Sequence, residues 1–114
     1  MFEKFDMQAK RAIFFARDEA TISGSASVEI GHLLLGLKRA SSKEVEEFLL
    51  SNSIKETMEE HVKKLIVSSK KTPTDVSLPV SNDVKEVLNF AWREANVVGI
   101  EHLLLGLLHW SRRS

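Results

Sequence analysis

The sequence has no cysteine, two prolines, five glycines and no net charge, with 16 Lys and Arg standing against 16 Asp and Glu over 114 residues. Without cysteine there is no disulfide, no thiolate nucleophile and no cysteine-based zinc site. That fits a reducing compartment, so a cytoplasmic location is expected. Zero net charge removes the broad basic field through which most nucleic-acid binders gain affinity by releasing counterions, and no nucleic-acid role is expected. The longest unbroken apolar run is five residues, Ala12 to Ala16, against the ~20 of a bilayer span and the ~7–15 of a signal-peptide core. Neither a membrane span nor an export signal is expected. The phosphate loop GxxxxGK[ST], the dinucleotide fingerprint GxGxxG and the hydrolytic motifs HExxH and GxSxG are all missing. The chain therefore reads as a non-enzyme without cofactor or metal.

What is present is 43% hydrophobic residue content in a single-domain length, enough to bury roughly two-thirds of the unfolded surface around one core. The chain also repeats itself. Ile30-Gly31-His32-Leu33-Leu34-Leu35-Gly36-Leu37 matches Ile100-Glu101-His102-Leu103-Leu104-Leu105-Gly106-Leu107 at seven of eight positions with an offset of 70. Upstream the offset is 75: Phe15, Ala16, Glu19 and Ala20 match Phe90, Ala91, Glu94 and Ala95. The second copy has thus lost five residues, which are assigned to the loop that is Thr21 to Glu29 in the first. A duplicated unit fixes architecture before any motif is considered.

The apolar sets Ala9, Ala12, Ile13, Ala16, Ala20 and Val84, Val87, Leu88, Ala91, Ala95 step by i, i+3, i+4, i+7, i+11, one stripe of a helix. Asp6 and Ser81 stand just before these stripes as N-caps, predicting helices over 7–22 and 82–97. The Leu-rich segments 30–40 and 100–112 are apolar all round and are expected at the centre. Glycine in mid-helix costs ~1 kcal/mol against alanine, so Gly36 and Gly106 imply close backbone packing, read as one repeat against the other. Two capping-box patterns, Ser41 with Glu44 and Ser53 with Glu56, announce helices to about Leu50 and Val67. Ser68 to Val80 holds Pro73 and Pro79 and reads as an exposed linker. The fold class is all-α: a pseudo-two-fold duplicated bundle of about six helices, with repeat one over 1–67, the linker over 68–80 and a truncated repeat two over 81–114.

The titratable candidates read first as structural. His32 and His102 sit at the starts of apolar helices, where a histidine hydrogen-bonds locally; His102 and His109 share a helix face, but two ligands make a weak metal site. Glu19 and Glu94 read as salt-bridging or solvated carboxylates. Lys63-Lys64 and Arg112-Arg113 read as solvated helix ends, and Phe2 and Phe5 as packed on the core.

Taken together, Phe5-Asp6, Ala16-Arg17-Asp18-Glu19-Ala20, Val28-Glu29-Ile30-Gly31-His32-Leu33-Leu34-Leu35-Gly36-Leu37 and their second copy resemble the Clp N-terminal repeat domain, as in ClpC- and ClpA-type AAA+ unfoldases. The resemblance covers most of the chain. It implies a non-catalytic, protein-binding module of a chaperone and ATP-dependent protease machine that captures substrates or adaptors. ClpC-like members also hold phosphoarginine, with a Glu of a Gly-Thr-Glu-His motif on the guanidinium and a helix N-terminus on the phosphate. Carried over, that implies ligand-binding roles for Glu101, His102 and Ser81 and phosphoarginine at repeat two. In repeat one Gly31 stands where the Glu would be, and Asp6 where the family has Thr before the first helix. The resemblance also implies two further helices after the second Leu-rich segment, where this sequence stops at Ser114. Leu107, Leu108 and Trp110 are then expected to form an apolar surface covered by another protein or by a homodimer. The alternative function is a stand-alone dimerising regulator related to Clp N domains.

Overall fold

The computed structural model describes residues 2–65 and 78–113. A short 3-10 turn, Phe2–Lys4, leads into six α-helices: α1 Met7–Ile22, α2 Ile30–Ala40, α3 Ser42–Ser51, α4 Lys55–Lys63, α5 Asn82–Glu94 and α6 Ile100–Arg113. The all-α duplicated bundle is as expected, and no helix is long and apolar enough to cross a membrane among the described residues. Asp6 accepts the Ala9 N–H at 2.9 Å and Ser81 accepts the Val84 N–H at 3.2 Å, so both predicted N-caps form.

Each repeat is a helix pair, α1 on α2 and α5 on α6, with α3 and α4 packed on α2. The buried stripes Ala9, Ala12, Ile13, Ala16, Ala20 and Val84, Val87, Leu88, Ala91 meet Leu33, Leu34, Leu37 and Leu103, Leu104, Leu107 in one core. The paired glycines work inside each repeat rather than between the two. A Cβ on Gly36 would lie 2.4 Å from the Ala12 carbonyl oxygen, and one on Gly106 would lie 2.8 Å from that of Val87. Ala12 and Val87 are themselves repeat equivalents, so the same backbone approach is built twice.

The repeats interlock through two isolated parallel bridges, Phe5 with Val98 and Val28 with Val80. The Asp6 N–H donates to the Val98 carbonyl and the Val98 N–H to that of Lys4, both at 2.8 Å; the Val28 N–H donates to Pro79 and the Ser81 N–H to Val28, both at 2.9 Å. Subtracting the repeat offsets maps one bridge onto the other with the partners exchanged. Each repeat's leading segment therefore lies against the other repeat's helix-to-helix loop.

Several boundaries differ from the sequence reading. α5 ends at Glu94, three residues short of 97, because Ala95 is extended; the five lost residues come partly from the helix and not from the loop alone. Ser53 does not cap α4. It adopts φ 57° and closes α3, with its N–H donating to Leu50 and that of Ile54 to Leu49, the paired bonds of a Schellman end. Ile54 takes the N-cap position of α4. The Ser41 hydroxyl donates to the Glu44 carboxylate at 3.3 Å, with no side-chain cap bond to the helix. α4 stops at Lys63, and Val67 and residues 68–77 lie outside the described residues. The end of the expected linker is not wholly exposed, since Leu78 is buried and Val80 is bridged to Val28. Leu107, Leu108 and Trp110 are buried rather than surface residues. The Trp110 indole N–H donates to Asp83 at 3.1 Å and its ring meets His61 edge-on, so the fold itself covers what the truncation was expected to bare. Phe5 is buried, and Phe2 packs on it edge to face.

Candidate functional site

Three places deserve comparison: the starts of α2 and α6, and the groove between α5 and α6. At the start of α2, the Glu29 N–H donates to His32 Nδ1 at 3.0 Å. Because Nδ1 faces a donor, the proton sits on Nε2, which donates to Ser23 Oγ at 3.2 Å while the Ser23 hydroxyl donates to the Ala20 carbonyl. His32 is 1% exposed, and burial pushes its imidazole pKa below the ordinary value, with Glu29 and Glu19 opposing. Every polar atom of this chain of bonds has a partner. It holds the loop to α2 and leaves no free nucleophile at Ser23.

Gly31, one residue earlier, is covered by the end of α4. A Cβ there would lie 2.7 Å from the His61 carbonyl oxygen and 2.9 Å from Leu65 Cδ1. A small cavity of about 130 Å³ remains beside it, bordered by Glu29, His61, Lys64 and Asp83. Glycine at 31 is thus a packing requirement, and the sequence signal for it was its mismatch with Glu101 in an otherwise near-perfect repeat.

The start of α6 is built from the same parts and left open. His102 Nδ1 accepts the Gly99 N–H at 2.9 Å, matching the bond of His32 Nδ1 to the Glu29 N–H. The local hydrogen-bonding expected of both histidines is what the structure contains. Glu101 has a side chain 62% exposed. A Cβ on Gly99 would meet Glu101 Oε1 at 2.6 Å and Asp6 Oδ2 at 3.0 Å, so two carboxylates flank one backbone position. The Glu101 Oε1 lies 3.4 Å from His102 Nδ1, a close contact rather than a hydrogen bond while that nitrogen accepts from Gly99.

The bridges decide which predicted ligand residues come together. Glu101 and His102 lie together with Asp6, whereas Ser81 is joined to the Val28 loop of repeat one, and no described bond links Ser81 to Glu101. Among the described residues no three His, Cys, Asp or Glu are grouped to hold a metal ion.

The groove on the outer face of α5 and α6 encloses about 450 Å³ and is lined by Phe90, Glu94, Leu105, Leu108, His109 and Arg112, with His102 at one end. His109 stacks on Phe90, ring centroids 4.6 Å apart. Sequence reasoning noticed Phe90 and Glu94 only as repeat matches; the signal for a groove was that both recur on one helix face.

No family model matches the chain. A probable ATP-dependent Clp protease ATP-binding subunit of Chlamydia pneumoniae is 33% identical to it over 117 residues, covering 97% of this chain and 14% of that protein. Nearly the whole chain is thus similar in sequence to one part of a Clp ATP-binding subunit. It spans about one-seventh of the relative it matches.

Proposed function

We propose that the chain is a non-catalytic protein-binding module that receives substrate segments or adaptor proteins for a Clp-type ATP-dependent unfoldase. The observation carrying this reading is the similarity of nearly the whole chain to one-seventh of a Clp ATP-binding subunit. The geometry supports it in two ways. The buried His32 and the half-buried Ser23 are used up in holding the α1–α2 loop to the start of α2, which leaves no assembled nucleophile and base there. Large apolar side chains stand in solvent instead, with Met7 74% and Phe14 67% exposed on α1 and Leu105 on α6, the kind of surface that a polypeptide contacts.

Of the residues implied by the family resemblance, Glu101 and His102 at the open start of α6 are the ones a partner can reach. Ser81 is engaged as a helix cap. A phosphoarginine guanidinium suits Glu101, but Asp6 on the same spot opposes its phosphate, so unmodified polypeptide is favoured over phosphoarginine as the ligand. The test is binding of this chain to an array of overlapping peptides covering an unfolded protein, with hits measured in solution by fluorescence anisotropy. Saturable binding of a subset at micromolar affinity is expected; an array with no saturable hit overturns the reading. Sedimentation equilibrium then separates a monomeric module from a dimeric regulator that would use the exposed α1 side chains on itself.

A further inference from the structure

We infer that the α5–α6 groove takes the arginine side chain of a partner polypeptide, an inference that rests on the protein-binding reading. The argument comes from the chain's own duplication. In repeat one the positions equivalent to Phe90, Glu94, Leu108 and His109 are Phe15, Glu19, Lys38 and Arg39. There the Arg39 guanidinium lies 4.3 Å from the centroid of the Phe15 ring. It is bonded to Asp18 Oδ2 at 2.8 Å and approaches Glu19 Oε1 at 3.4 Å. Stacking on an aromatic face with a carboxylate at the edge is the pairing a planar guanidinium satisfies better than any other side chain. Repeat one therefore carries a guanidinium in its groove already.

Repeat two keeps the ring and the carboxylate and has no arginine at the Arg39 position, its Arg112 standing on the rim. His109 stands at the Arg39 position and stacks on Phe90, but its shorter side chain forms no described bond to Glu94, which is exposed. Leu108 in place of Lys38 and the exposed Leu105 turn the groove wall apolar, suited to the methylene stem of an incoming arginine. Arg93, in the place of Asp18, and Arg112 on the rim oppose a bare cation, and a compact ammonium cannot offset that by stacking. The site thus selects guanidinium over lysine ammonium. Glu101 stands one turn before Leu105 on the same face of α6, beyond the His102 end of the groove.

The test uses the arginine-bearing peptides bound in the array, each beside versions with that arginine replaced by lysine or by citrulline, which has the same shape without the charge. Replacement is expected to weaken binding about ten-fold, the worth of one charge-assisted contact. Glu94→Gln should abolish the preference for arginine over citrulline, and Glu19→Gln should leave it intact. His109→Arg should lose binding of arginine peptides by filling the groove from within, with an unchanged helical circular dichroism spectrum. Equal affinity for arginine and citrulline versions, or an unchanged preference in Glu94→Gln, overturns the inference while leaving the protein-binding reading standing. An array with no hits removes both.

Discussion

The first turns of α2 and α6 differ only in Gly31 against Glu101, with histidines making the same bond to the residue three before, and yet one is sealed and the other open. At α2 the end of α4 presses the His61 carbonyl and Leu65 onto Gly31; at α6 the corresponding Glu101 stands in solvent beside Asp6. The comparison teaches that a nearly identical local motif does not carry a site with it. What a duplicated helix start offers to a ligand is set by the neighbour packed over it and by the leading segment that the other repeat contributes.

The sharpest way to break the equivalence is to fill the paired glycines. Gly36→Ala drives a methyl to 2.4 Å from the Ala12 oxygen and 2.6 Å from the Ala16 nitrogen, both backbone, whereas Gly106→Ala meets Val87 at 2.8 Å and above. Urea unfolding should register a loss of about 3 kcal/mol for Gly36→Ala and a smaller loss for Gly106→Ala. Equal losses would mean that the two helix pairs relax alike.

Gly31→Glu copies the open site into the sealed one and should cost about 1–3 kcal/mol by displacing Leu65 and the last turn of α4. Leu65→Ala in the same chain should recover part of that. Amide exchange in α4 that is unchanged in Gly31→Glu would show that the cover yields without strain.

His32 should also make the fold sensitive to acid. His32 has a lowered folded-state pKa, so the unfolded chain binds its proton first. The stabilisation from neutral His32 is present above the unfolded value of about 6.5 and is lost as pH drops through the lower folded value. Protonation also removes the Nδ1 acceptor that receives the Glu29 N–H. His61 is lowered as well, by burial and then by Lys64, and adds to the same acid loss. His32→Asn should cost about 1–3 kcal/mol near neutral pH and flatten the stability profile between pH 7 and 5. A profile as steep in the variant as in the parent would assign the acid sensitivity to His61.

The smallest change expected in stability is Asp6→Ser, within about 0.5 kcal/mol because serine caps a helix as well as aspartate. It removes one of the two carboxylates at the start of α6. Phosphoarginine followed by tryptophan fluorescence should bind this variant about ten-fold tighter than the parent, and equal affinity would clear Asp6 of repelling phosphate.

Periodicity carried much of this into view from sequence. The two alanine- and valine-rich stripes, the N-caps Asp6 and Ser81, and the central Leu-rich helices follow from spacing and side-chain chemistry that act within one turn or one face. Ser53 did not, because a serine before a helix and a serine ending the previous one have the same neighbours, and the backbone's left-handed turn decided between them. The cover over Gly31, the burial of Trp110 through Asp83, and the pairing of Asp6 with repeat two's loop are contacts between distant segments. No window of the chain contains both partners, so they were beyond periodicity.

The exchanged bridges carry a consequence for how the two repeats depend on each other. Phe5 meets Val98 across nearly the whole chain, so this contact closes a very long loop, whose entropy cost the short-range contacts within each helix pair do not carry. A lone repeat would leave its leading strand and its loop without partners. Two free copies satisfy both only by clasping each other around a two-fold axis, the isologous arrangement that most symmetric dimers adopt. The covalent chain thus makes within itself, in its two bridges, the exchange of contacts that two separate copies would otherwise have to make with each other.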